Sequence, residues 1–121
     1  MNDAVLAAWA RVKGEVESPV FTYECELASG WRLYRKAIRE SKIAASVRVF
    51  ARYYPELVLA RMTELAQVET DPKYQNENDT AICTYAMGVL DTERLTLPQV
   101  VLLLSDVRGC FWVHRMLECY A

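Results

Sequence analysis

Apolar residues return at helical spacing along almost the whole of this chain, and that recurrence restricts the fold more than anything else in the sequence. Val5, Trp9, Val12 and Val16 stand at i, i+4, i+7 and i+11; Ile82, Tyr85, Ala86, Val89 and Leu90 stand at i, i+3, i+4, i+7 and i+8. Each set lines one side of a 3.6-residue helix. Four Gly and four Pro in 121 residues leave little material for the tight turns of an all-β fold. The length suits one domain, residues 1–121, with a core of its own. A composition of 53% hydrophobic and 25% charged residues excludes wholesale disorder. The expected fold is all-α, an irregular bundle of roughly five to seven helices.

Local chemistry places most of the boundaries. Asn2 or Asp3 can cap the first helix, and Ser18-Pro19 reads as an N-cap followed by proline at the first helical position. Residues 20–35 are ambiguous: Phe21, Tyr23, Cys25 and Leu27 alternate with polar neighbours as a half-buried strand would, yet they also fit a helix. Helix is favoured there, with a minor β-hairpin through Ala28-Ser29-Gly30 as the alternative. Ser41 should start a fresh helix that carries Ile43, Val47, Phe50 and Tyr54 inward, and Tyr54-Pro55 should end it. A further helix is expected from about Pro55 to Val68, with Leu57, Val58, Met62, Leu65 and Ala66 inward.

Thr70 to Asp79 reads as a polar connector, after which Asp79 or Thr80 is expected to cap a helix. Thr96 and Gln99 form a capping-box pattern. The apolar run Val100 to Leu104 points all round its helix, which is therefore expected at the centre of the bundle. Gly109 should end or bend it, and a last helix should bear Cys110, Val113, Leu117 and Tyr120 on one face.

Charge is unevenly spread over this framework. Between Trp31 and Arg52 seven bases (Arg32, Arg35, Lys36, Arg39, Lys42, Arg48 and Arg52) meet one acid, Glu40, a local balance of +6 in a chain of net −2. Arg32, Arg35, Lys36 and Arg39 recur at i, i+3, i+4 and i+7, opposite the face of Leu33, Tyr34, Ala37 and Ile38, so they form a cationic helical stripe. Acids elsewhere can answer it: Glu15, Glu17, Glu24 and Glu26, and the stretch from Glu56 to Asp79. Phe111 and Trp112 point away from the apolar face of the last helix, with Arg115 beside them, a composition typical of interface anchors.

Signs of catalysis are sparse. Cys25, Cys83, Cys110 and Cys119 lack the paired short spacing of a structural zinc site, and are expected to be small buried apolar residues. His114 is the one histidine; it lies a turn after Cys110, but neighbours on one straight helix seldom converge on a substrate. One histidine also falls short of a di-iron bundle, and neither GxxxxGK nor GxGxxG occurs. No cofactor or metal is expected. The longest strictly apolar run, five residues at Val100–Leu104, is far below the roughly 20 needed to cross a bilayer. The N-terminus shows no charged leader followed by an apolar stretch, so a cytoplasmic location is expected.

These features point to a non-enzymatic interaction protein, an adaptor, inhibitor or assembly subunit. The stripe Arg32, Arg35, Lys36 and Arg39 would steer a protein partner, and Phe111, Trp112 and Arg115 would anchor it. Self-association as a homo-oligomer is a variant of this expectation. A small nucleic-acid-binding accessory protein using the basic residues between 32 and 52 is the alternative, although the acidic total speaks against it. A thiol or metal enzyme centred on Cys110 and His114 is a third, weaker class.

Overall fold

Asn2 opens the first helix: its backbone is extended and its side chain accepts a hydrogen bond from the Val5 N–H at 2.9 Å. In the computed structural model the described residues are 2–27, 31–68, 71–105, 113, 114 and 117, with the side chains of Trp31 and Arg32 outside that set. Helix α1 (Asp3–Val16) buries Trp9, Val12 and Val16. Ser18 then caps α2 (Pro19–Glu26), accepting from the Val20 N–H, with Pro19 in the first turn where its missing N–H costs nothing. Helix α3 (Trp31–Glu40) follows. Residues 19–26 and 31–40 are thus helical, and no strand occurs among the described residues, so the hairpin alternative does not apply there. The alternation of residues 21–27 misleads because an eight-residue helix samples barely two turns, too few to separate a period of 2 from one of 3.6.

Ser41 both accepts from the Ala44 N–H and donates to the Ile38 carbonyl, closing α3 and opening α4 (Lys42–Tyr53). Tyr54, held off helical angles before proline (φ −138°, ψ 58°), separates α4 from α5 (Pro55–Gln67). Val58, Met62, Leu65 and Ala66 of α5 are buried.

Two expectations need correction. The polar connector is shorter than its composition suggests: Asp71 caps a 3-10 turn at Pro72–Tyr74, and α6 (Gln75–Asp91) begins directly after it. Asp79 and Thr80 therefore lie inside α6 and are buried, rather than capping it. The polar residues of its first turns are used: Gln75 donates to Asp79 at 2.9 Å and Asn78 to the Leu65 carbonyl at 3.3 Å. The central helix is also α6 and not α7 (Leu97–Leu104). Every residue from Asp79 to Leu90 is buried, whereas Leu102 of α7 is 72% exposed and Leu103 44%. Helix α7 keeps the expected capping box of Thr96 and Gln99, and turns Val100 and Leu104 inward.

Helix α6 touches α2, α3, α4, α5 and α7. Its small and hydroxyl residues make that possible, because Thr84 satisfies its hydroxyl on the Thr80 carbonyl at 2.7 Å and costs no unpaired polar group. Gly88 lets α4 come close: a Cβ at that position would stand 2.6 Å from Val47 Cγ1. Trp9 fills the corner between α1, α4 and α6, with ring centroids 5.1 Å from Phe50 and 5.8 Å from Tyr85. Val113 and Leu117, two members of the expected C-terminal face, are fully buried; Gly109, Cys110 and Tyr120 lie outside the described residues.

Candidate interaction surface

The cationic stripe of α3 divides once folded. Lys36 is exposed and lies 4.0 Å from Glu40, with both side chains more than 60% exposed (63% and 67%), so the pair contributes little. Arg35 and Arg39 are half-buried. Arg39 Nη2 donates to Asp91 Oδ1 at 2.7 Å, and the Asp91 side chain is only 9% exposed. Arg48 of α4 approaches the other carboxylate oxygen at 3.8 Å while donating to the Arg39 carbonyl at 3.0 Å. The C-terminal end of α6 thus holds an acid clasped between cations of α3 and α4. That arrangement also answers the unfavourable placing of an acid at a helix C-terminus. The side chain of Arg32, and Phe111, Trp112 and Arg115 altogether, lie outside the described residues.

A second ionic cluster ties α1 to α5 and α6. Arg61 grips Glu17 through Nε at 3.0 Å and Nη2 at 2.5 Å, and reaches Glu64 at 3.1 Å. The fully buried Tyr85 donates its hydroxyl to the same carboxylate at 2.8 Å. Burial first, and then this bond, hold the Tyr85 phenol well above its ordinary range. The Glu17 bonds likewise push the Arg61 guanidinium up. Two depressions flank Glu17. One of about 150 Å³ is lined by Glu17, Leu65, Tyr74, Glu77, Asn78 and Ala81. A more open one of about 420 Å³ is lined by Ala10, Lys13, Gly14, Glu17 and Arg61. Among the described residues neither lining contains a serine, cysteine or histidine.

Other titratable groups are interior. Asp79 is 3% exposed with Gln75 as a hydrogen-bond partner; burial raises its carboxyl to about 6 against that bond. Burial, aided by Glu24 and Glu26, raises the Cys25 thiol to about 11. Cys25 and Cys83 are buried, as expected of small core residues, and Cys110 and Cys119 fall outside the described set. Tyr34 and Thr80 share a buried hydrogen bond between α3 and α6. His114 is half-buried. Among the described residues no cluster of three His, Cys, Asp or Glu is placed to hold a metal, and no helix is long and apolar enough to cross a membrane.

What the fold leaves on the outside was not singled out by the charge pattern. In α4 the exposed positions are Lys42, Ala45, Val49, Arg52 and Tyr53, at i, i+3, i+7, i+10 and i+11. They make one continuous face, apolar in the middle with a cation near each end. Val49 is 56% exposed and Tyr53 68%. Arg94 adds a third cation at the C-terminal end, donating to the Arg52 carbonyl. Along α2 and its C-cap the exposed apolar residues are Val20, Tyr23 and Leu27, at 65%, 62% and 68%. On the helical wheel, exposed Glu24 borders that stripe on one side and exposed Glu26 on the other. Both stripes are visible in the sequence as helical repeats, but nothing local says which face turns outward.

Comparison with known proteins finds no matching family model, no matching curated protein and no matching solved structure. The functional interpretation therefore rests on this chain's own surfaces.

Proposed function

We propose that this chain is a non-enzymatic, cytoplasmic interaction protein, an adaptor, inhibitor or assembly subunit, that receives an acidic surface of a protein partner on the outer face of α4. The observation that carries the proposal is the exposure of Val49 and Tyr53, 56% and 68%, on the face that also presents Lys42 and Arg52. An apolar centre with charged ends is the pattern of a small docking site: the apolar residues supply affinity and the cations supply orientation and on-rate. Lys36 on α3, also exposed, adds to the positive field. Phe111, Trp112 and Arg115 stay in the proposal as a second contact, on composition alone. The free thiol of Cys25 suits a reducing compartment.

The nucleic-acid alternative has less support. Arg39 and Arg48 already bear on Asp91, and the chain is net negative, whereas polynucleotide binding needs cations free to displace counterions.

Affinity capture from the native host tests the proposal. Two variants, Lys42→Glu with Arg52→Glu and Val49→Gln with Tyr53→Gln, should each lose most of the recovered partner while keeping the helical circular dichroism of the parent. Equal recovery by parent and both variants would overturn it. Retention of polynucleotide that high salt removes would favour the alternative.

A further inference from the structure

The outer faces of α2 and α4 are complementary in length, character and sign. Val20 to Leu27 covers about 10 Å of helix and Ala45 to Tyr53 about 12 Å, at 1.5 Å per residue. The α2 stripe is bordered by Glu24 and Glu26, while the α4 stripe is bordered by Lys42 and Arg52. Helix α2 carries no basic residue and α4 no acidic one. Within one copy the two faces do not cover each other, since Val20, Tyr23, Val49 and Tyr53 are all more than half exposed (65%, 62%, 56% and 68%).

We infer that the acidic partner of α4 is α2 of a second copy, so that the protein self-associates through α2 against α4. This rests on the α4 docking proposal above and names its occupant. Because the contacting patches differ, each copy that docks by α2 also presents an α4, which takes either α2 of the same partner, closing a two-fold pair, or α2 of a further copy. The product is a closed dimer where both contacts form at once, and otherwise a ring or a filament. A contact built on three apolar side chains from each helix is much smaller than the ~800 Å² per partner of a standard interface. The association is accordingly weak and concentration-dependent, and opposite charges around it make it weaker in salt.

Sedimentation of the full chain up to about 1 mM, a range set by that small contact, decides the matter. The parent should reach at least twice the monomer mass at the top of the range, and fall back when salt is raised. Val20→Gln with Tyr23→Gln removes one face, and Val49→Gln with Tyr53→Gln the other, with charge unchanged and a good helix former at each exposed position. Each variant alone should stay monomeric. An equimolar mixture should form a one-to-one dimer and nothing larger, because one intact face of each kind remains. A parent that is monomeric throughout, a single-face variant that associates as the parent does, or a mixture that stays monomeric would each overturn the inference. Such a result, with partner capture still lost in the α4 variants, would leave the docking proposal standing.

Discussion

Arg39 reaches across 52 residues of sequence to Asp91, joining the last turn of α3 to the end of α6 through a 2.7 Å hydrogen bond. With Arg48 on the second oxygen, the carboxylate is the point at which three helices meet electrically. Replacing Asp91 by Asn leaves both guanidinium groups facing a neutral amide. Removing the one largely buried member of this cluster leaves two partly exposed guanidinium groups, 42% and 34%, without their acceptor, a cost reduced by the water that still reaches them. Urea denaturation should show a loss of about 2 kcal/mol for Asp91→Asn, and a smaller loss for Arg39→Ala, whose side chain is 42% exposed. Equal stability of Asp91→Asn and the parent would remove the cluster from the account of how α3 is held.

Asp79 makes stability depend on pH in the opposite sense to an ordinary salt-bridged acid. Its carboxyl sits at about 6 in the fold, against 3.8 for an unperturbed group, so the folded state holds the proton more tightly than the unfolded one. That contribution is fully favourable below 3.8, declines as pH rises to about 6, and has gone above it. Asp79→Asn should therefore be more stable than the parent at pH 7.5, by about 1–2 kcal/mol, with the difference shrinking toward pH 4. Thermal melts of the two proteins across that range provide the comparison.

Gly88 is required by closeness rather than by backbone angle. A methyl group there meets Val47 Cγ1 at 2.6 Å, and a β-branched side chain on a helix has little freedom to swing away. Gly88→Ala is expected to cost about 1–3 kcal/mol through overpacking, despite the better helix propensity of alanine. In Val47→Ala the same substitution should be nearly neutral or stabilising, and the coupling in a double-mutant cycle measures the clash.

Glu93 ends α6 in a conformation that suits glycine better. Its φ is 58°, the Glu93 N–H bonds to the Leu90 carbonyl, and the Arg94 N–H to the Val89 carbonyl. This is the hydrogen-bond pattern of a Schellman cap with a side chain where glycine is preferred. Glu93→Gly should raise stability by roughly 0.5–1 kcal/mol, the cost of holding an ordinary residue in the left-handed region, and raise the melting temperature. A lower melting temperature would mean that the Glu93 side chain contributes something its geometry does not reveal.

Features decided within a few residues were legible in the sequence. Ser18-Pro19, Ser41, Tyr54-Pro55 and the Thr96–Gln99 box each set a boundary by local hydrogen bonding or proline sterics, and each boundary is found there. Features decided across the chain were not. Gln75 and Asn78 look like connector residues, yet one pairs with Asp79 and the other reaches α5. The Val100–Leu104 run looks central because it is apolar all round, whereas α6 earns that place through small residues and internally satisfied threonines. The stripe of α3 was readable as a stripe, but its inward pull on Arg39 depended on an acid far along the chain. The α4 and α2 faces could be listed as periodic positions only once the rest of the bundle had fixed which side was wet.

The continuous burial of α6 from Asp79 to Leu90 has a consequence for how this protein tolerates change. An ordinary amphipathic helix gives a sawtooth in a saturation scan, with permissive positions every three or four residues. Here, past Asp79 with its tolerated amide, the trace should be a flat band of intolerance from Thr80 to Leu90, flanked by sawteeth from the outer helices. Variation that alters assembly without unravelling the protein must therefore accumulate on the rim, and the axle must stay nearly fixed.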